Sequence, residues 1–211
     1  MIGVARSSHT LPQADGCRSK RAAILTAAID NFGEDGYEHT VWATIADQVG
    51  IGRSTLYYYF ESKVHCLLTI MSIELNRSLQ AFREVTAGVA RDQAVVAAIS
   101  AAYDVSPREV LQKRIVHCHM DLLAAPRSSA VEETERQRAR NLVRDIENEW
   151  TALLARGITV IDSEHRAPRA MANVVLAMMV SVWRWYRPGG PMTLEQVCDL
   201  ITGACLRVIA A

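Results

Sequence analysis

Along almost the whole chain, apolar residues recur at intervals of three and four. Nowhere do they alternate with polar ones for the length of a strand. Glycine and proline punctuate this pattern sparsely, with 11 and 6 residues in a chain of 211. The periodicity predicts an all-α protein of about nine helices. Half of the residues are hydrophobic and 22% are charged, enough apolar material for a sizeable core and too little charge for extensive disorder. No internal repeat or low-complexity tract interrupts the reading.

Met1–Gly16 reads as a flexible basic arm, followed by a first helix over about Cys17–Asp35. Leu25, Ala28, Ile29 and Phe32 form an i, i+3, i+4, i+7 stripe on it. Gly36 suits a left-handed helix end. Thr40 is the expected N-cap of a short helix over Val41–Val49. Gly50-Ile51-Gly52 breaks that helix, and a second short helix follows over about Arg53–Tyr59. Ser62 is expected to cap a long fourth helix reaching Thr86, with Gly88 beyond it. Asp92–Tyr103 reads as a fifth helix. Ser106-Pro107-Arg108-Glu109 combines an N-cap serine, a proline at the first helical position and a capping-box glutamate. Pro126 separates this sixth helix from a polar seventh, about Ser128–Arg156, stopped by Gly157. A linker leads to an eighth helix from Pro168 to the Pro188-Gly189-Gly190-Pro191 break. Thr193-Leu194-Glu195-Gln196 forms a second capping box opening the last helix. The expected units are residues 1–16 (arm), 17–62 (helix-turn-helix) and 63–211 (ligand binding and dimerisation), with the fourth helix running across the seam.

Thr40–Phe60 has the proportions of a helix-turn-helix. Ile45, Ala46, Val49, Ile51, Leu56 and Phe60 can face inward, Ala46 permits close helix approach, and Gly50 permits the tight turn. Arg53, Ser54, Thr55, Tyr57, Tyr58 and Tyr59 remain outside on a helix of about seven residues. Successive helical residues turn by about 100°, so three consecutive tyrosines cannot all enter one core. Such a helix fits a major groove about 12 Å wide, where hydroxyls and a guanidinium reach base edges or phosphates. Lys63 suits a phosphate contact, and the amide groups near Thr40 face an anion. The expected partner is double-stranded DNA. Formal net charge is zero, which excludes polyanion binding by bulk charge. Residues 1–21 nevertheless carry four basic side chains and one acidic, including Arg18, Lys20 and Arg21. A modest electrostatic term with a shallow salt slope is expected.

Thr40-x4-Ile45-Ala46-x3-Gly50-Ile51-Gly52-Arg53-Ser54-Thr55-Leu56-Tyr57-Tyr58-Tyr59-Phe60-x-Ser62-Lys63, preceded by Phe32-x3-Gly36-Tyr37, resembles the DNA-binding signature of the tetracycline-repressor (TetR) family. The resemblance covers about fifty residues, Arg18 to Leu68. Many relatives have glycine in place of Ser54 and histidine in place of Tyr59. The resemblance implies a homodimeric transcription regulator, usually a repressor, released from a palindromic operator by a small molecule. It places Thr40 and Lys63 on phosphates and Arg53, Ser54, Thr55, Tyr57, Tyr58 and Tyr59 in the groove. It also implies a ligand pocket among the fourth to eighth helices, with Leu67, Met71, Leu75, Tyr103, His117, Met120, Trp150, Leu153, Met178 and Trp183 as candidates. Methionines and tryptophans suit a large apolar effector. Trp185–Pro191 resembles a stretch in members that sense acyl-coenzyme A or steroid-derived thioesters. Arg136, Arg138, Arg140 and Arg144 either meet a coenzyme A phosphate or form a solvated face with neighbouring glutamates, the blander reading being favoured.

The eighth helix is apolar on nearly all sides and must be covered on both. A second subunit is the economical partner: Met171, Val175 and Met179, with Val197, Leu200 and Ile201 of the last helix, would build a four-helix interface. The competing reading is a core helix of a monomer. The fourth helix, starting at Lys63 and passing the pocket at Leu75, is the expected lever between ligand and DNA.

No cofactor or metal is expected. His117 and His119 point about 200° apart on a helix and are poorly placed to share an ion. Cys198 and Cys205 share a face, and packing is the favoured reading over a redox pair. A helical enzyme using Cys118/His119 or Cys66/His65 is the competing class, but adjacent helical residues diverge. A DNA-binding protein without an effector is a third. Five scattered cysteines, a polar start and the brevity of the apolar run Met171–Trp183 predict a cytoplasmic protein with reduced thiols and no membrane span.

Overall fold

The computed structural model describes residues 13–156 and 167–210, so most of the expected arm and the linker after Gly157 lie outside the described residues. Nine α-helices and no strand are found among the described residues. They are α1 (Gln13–Asn31), α2 (Trp42–Val49), α3 (Arg53–Tyr59), α4 (Lys63–Thr86), α5 (Arg91–Tyr103), α6 (Pro107–Cys118), α7 (Ala130–Ala155), α8 (Pro168–Trp185) and α9 (Leu194–Ala210). The first helix begins at Gln13 rather than Cys17, which shortens the expected arm.

The end of α1 also differs from the expectation. Its buried line is Ile24, Ala28 and Phe32, with Leu25 and Ile29 only partly covered. The helix then widens into a π-helical turn over Phe32–Gly36, closed by Gly36 at φ +89°. Gly33 lies in this turn because α6 approaches closely: a Cβ there would sit 3.1 Å from Leu111 Cβ. The two capping boxes form as read. Ser106 accepts from the Glu109 amide while Glu109 accepts from the Ser106 amide. Thr193 and Gln196 exchange the equivalent pair of bonds, at 3.2 and 2.9 Å. Ser62 caps α4 through a 2.9 Å bond from the His65 amide.

Two apolar cores result. One gathers Ile24, Ala28 and Phe32 of α1, Ile45 and Ala46 of α2, Leu56 of α3 and the first half of α4 from Cys66 to Leu75. The other gathers Phe82 of α4 with residues of α5, α7, α8 and α9. Residues 63–211 do not close on themselves: Ile115 and Val116 of α6, Leu123, and Ala139 of α7 belong to the first core. Val110 of α6 and Trp150, Leu153 and Leu154 of α7 belong to the second. Each large side chain so buried stabilises the fold by about 1.5–3 kcal/mol. Three helices, α4, α6 and α7, thus tie the two cores together along their lengths.

Candidate nucleic-acid interface and ligand cavity

Gly50 adopts φ +69°, and its amide bonds back to Ala46 and Asp47. Only glycine takes this conformation without a steric cost. The turn continues with Ile51 N donating to Ala46 O at 2.9 Å. It delivers α3 with a single fully buried anchor, Leu56. Arg53 and Ser54 are exposed, and Thr55 partly so. Tyr57 is 49% exposed and Tyr58 81%, the largest exposure among the big apolar side chains described. Tyr59 differs from its neighbours: it is half-buried against the first core, and its ring meets Tyr58 edge-on with the centroids 5.4 Å apart. It braces the tyrosine beside it rather than standing free in a groove.

Two expected phosphate contacts are occupied internally. Thr40 is not the N-cap of α2; that position is taken by Val41, which makes no side-chain cap. Thr40 is buried, and its hydroxyl and amide both donate to Gly36 O, at 2.9 and 3.1 Å. Its short side chain fastens the turn after α1. The Lys63 ammonium donates to the carbonyls of Tyr37, Thr40 and Glu38 at 2.7, 3.1 and 3.4 Å. It also lies 4.4 Å from the centre of the Tyr37 ring. All three ammonium protons have acceptors on the turn. Burial, then the Glu38 carboxylate, pushes the Tyr37 phenol up to about 12, so the ring stays neutral beneath the cation. Val41, 62% exposed at the start of α2, carries no sequence signal, since its apolar side chain fits the helical pattern equally well.

A cavity of about 260 Å³ is bounded by α4, α5, α6, α7 and α8. Of the expected ligand residues, Leu75, Tyr103, His117, Trp150 and Trp183 line it. Leu67 and Met71 do not: they are buried in the first core with the rest of the first half of α4. Met120 packs against that same core, Leu153 is sealed within the second, and Met178 packs beside the second core without reaching the cavity. The neighbouring Met179, expected at a dimer face, lines the cavity instead. Its carbonyl accepts from the Tyr103 hydroxyl at 2.8 Å. Burial raises the Tyr103 phenol well above its ordinary value.

One wall of the cavity is polar, and sequence reading passed over it. Glu74 and Lys113, both buried, pair at 2.7 Å between α4 and α6. Arg77 pairs with Glu74 at 3.0 Å and with Glu109. The signal was available: a charged residue stands at an apolar phase of each helix, Lys113 between Val110 and Val116 and Glu74 between Ile70 and Leu75. His117 lies one turn beyond Lys113. Burial and then the Lys113 charge lower it to about 4, so it is neutral at physiological pH. Among the described residues no cluster of metal-ligating side chains occurs. His119 faces away from His117, its Nδ1 2.7 Å from Ile115 O and its ring against Tyr37. Burial pushes the Cys66 thiol far up, a protonated core group rather than a nucleophile. Arg136 is no solvated arginine: it is buried, bonded to Leu123 O at 2.8 Å and to both oxygens of Glu133.

Of the six residues expected at a dimer face, Leu200 alone is exposed. Val175 and Val197 are wholly buried within the protomer, and Ile201 nearly so, while Met171 is half-buried. Helical phase is the reason: Val175, Met179 and Val182 form the inward stripe of α8. The outward stripe carries Val174, Ala177, Ser181 and Trp185, with Leu200 outward on α9 at 52% exposed. No helix among the described residues is long and apolar enough to cross a membrane.

Against known proteins, the family model for tetracyclin repressor-like C-terminal domains matches residues 104–209, and the model for bacterial regulatory proteins of the tetR family matches residues 24–70. The chain is 27% identical over 186 residues to the HTH-type transcriptional repressor KstR2 of Mycobacterium tuberculosis (strain ATCC 25618 / H37Rv), covering 85% of this chain and 87% of that one. The fold is shared with the TetR-family regulator PfmR from Thermus thermophilus (TM-score 0.71, 24% identity, 87% of this chain and 97% of that one). It is shared too with AibR, crystallised with isovaleryl coenzyme A and operator DNA (TM-score 0.65, 21% identity, 88% and 97% covered). The two matched segments, one over the tyrosine-bearing helix and one over α6, α7 and α8 of the cavity, establish that this chain belongs to the TetR family and is a DNA-binding transcriptional regulator.

Proposed function

We propose that the protein is a homodimeric repressor that reads a palindromic operator with two copies of α3 and leaves it when an apolar small molecule occupies the α4–α8 cavity. The observation that carries this reading is α3 itself. It is anchored through the buried Leu56, with Tyr59 half-buried against the same core, and Arg53, Ser54, Tyr57 and Tyr58 are turned outward. Tyr58 and Arg53 are the residues assigned to base edges. Tyr59, Thr40 and Lys63 act as positioning residues, holding α3 and the turn before α2 in place. Two such helices, held about one DNA turn (~34 Å) apart, supply the specificity one short helix lacks. The outward stripe of Val174, Trp185 and Leu200 supports the dimer.

AibR's co-crystallised isovaleryl coenzyme A supports an effector carrying an acyl thioester. The lever is α4, which is capped beside α3 and lines the cavity with Glu74, Leu75, Ser78 and Phe82. An effector that favours the DNA-free arrangement ~100-fold per site contributes ~2.7 kcal/mol towards it. Footprinting on the DNA upstream of the protein's own gene locates the operator. On that fragment Tyr58→Ala weakens the gel-shift affinity at least tenfold while the circular dichroism spectrum and dimer mass stay unchanged. Unaltered affinity refutes the assignment of α3 to the groove.

A further inference from the structure

We infer that the cavity selects an effector whose enclosed part is neutral, presenting an uncharged oxygen (ester, thioester, ketone, amide or alcohol) on an apolar body, and that it rejects the corresponding free carboxylate. This rests on the reading of the cavity as the effector site and names the chemistry that site accepts. The apolar walls, with Phe82 against Trp150 at 5.1 Å and Tyr103 against Trp183 at 5.3 Å, suit an aliphatic or ring body and carry no charged group, and the Tyr103 hydroxyl among them is already bonded. Selectivity therefore falls to the polar wall.

That wall holds three carboxylates, Glu74, Asp104 and Glu109, against two cations, Arg77 and Lys113. Both cations are engaged by those carboxylates, Lys113 by Glu74 and Arg77 by Glu74 and Glu109. An entering anion finds no spare positive charge. It would add a like charge to a site of low dielectric, or displace Glu74 from a buried pair. A neutral oxygen meets a different situation. His117 lines the cavity and has no hydrogen-bond partner among the described residues, so its ring offers one donor and one acceptor. The Lys113 ammonium has three protons, with acceptors at Glu74 (2.7 Å) and Ser78 (3.4 Å) accounting for two. A carbonyl or hydroxyl thus completes polar groups that the fold leaves unfilled, whereas a carboxylate overfills them.

Octanamide and octanoate test this, because they share shape and chain and differ in charge. Binding to the intact dimer is followed at neutral pH by the fluorescence of Trp150 and Trp183, which line the cavity, and by calorimetry. Octanamide binds, and octanoate binds at least tenfold more weakly. His117→Leu weakens octanamide about three- to tenfold, the range of one neutral hydrogen bond. Glu109→Gln removes one carboxylate while a glutamine still completes the capping box, and it narrows the gap by raising octanoate affinity several-fold. Octanoate binding as tightly as octanamide overturns the charge selectivity but leaves the cavity as effector site. Failure of both probes to bind or to alter operator affinity overturns the cavity reading, and this inference with it.

Discussion

Lys63 shows how one side chain acquires a role from its neighbours. A lysine at the start of α4, beside a recognition helix, is a natural phosphate ligand by position. Here its ammonium closes the turn after α1 by gripping three carbonyls, so it fixes the entry to α2 instead. Its position was legible; its partners were not, because they are backbone atoms whose direction the π-helical turn decides. His117 is the parallel case in the cavity. Its folded pKa, near 4, lies below the ordinary 6.5. The unfolded chain therefore binds the extra proton first, and the stabilisation is full above about pH 6.5 and is lost as pH falls towards 4. Over that interval the protein loses roughly 2–3 kcal/mol through this one group. Urea denaturation at pH 7 and pH 4.5 measures it: the native protein shows the drop, and His117→Leu shows a drop smaller by that amount.

Among the elements, helix starts were the most readable feature. Ser106 with Glu109 and Thr193 with Gln196 carry their hydrogen-bonding partners within four residues, so local sequence contains the whole interaction. The facing of α8 was not readable. A helix apolar on all sides has no phase in its sequence, and only the packing against α6, α7 and α9 turns Val175 in and Val174 out. The start of α4 joins a local and a distant interaction. Ser62 Oγ accepts from the His65 amide and donates to Glu132 Oε1 of α7 at 2.5 Å. Ser62→Ala removes the cap and the crosslink together, and a loss of about 1–2 kcal/mol in chemical denaturation is expected. Amide hydrogen exchange in the first turn of α4 rises in the same variant. A change confined to the exchange rates, with stability intact, would leave the crosslink without energetic weight.

For the whole molecule, the two faces of α8 and α9 make a discriminating pair of substitutions. Leu200→Glu places a charge on the outward stripe and yields a folded monomer in sedimentation velocity. Val175→Glu places one in the protomer core and lowers stability by at least ~3 kcal/mol, whatever the subunit number. Persistent Leu200→Glu dimers refute the interface. The division of labour between the ends of the chain was legible from the signature around Gly50 and the apolar eighth helix. The sharing of the first core was not, since it depends on where α6 and α7 land. Ile115, Val116, Leu123 and Ala139 complete the hydrophobic interior beneath α2 and α3. The operator-reading end is consequently not a detachable cassette: cut after residue 62 and joined to another sensor, it would arrive without its floor. On the proposed assignment of α3 to the groove, retargeting this protein to a new DNA sequence is therefore a matter of changing Arg53, Ser54, Tyr57 and Tyr58 in place, on a scaffold left whole.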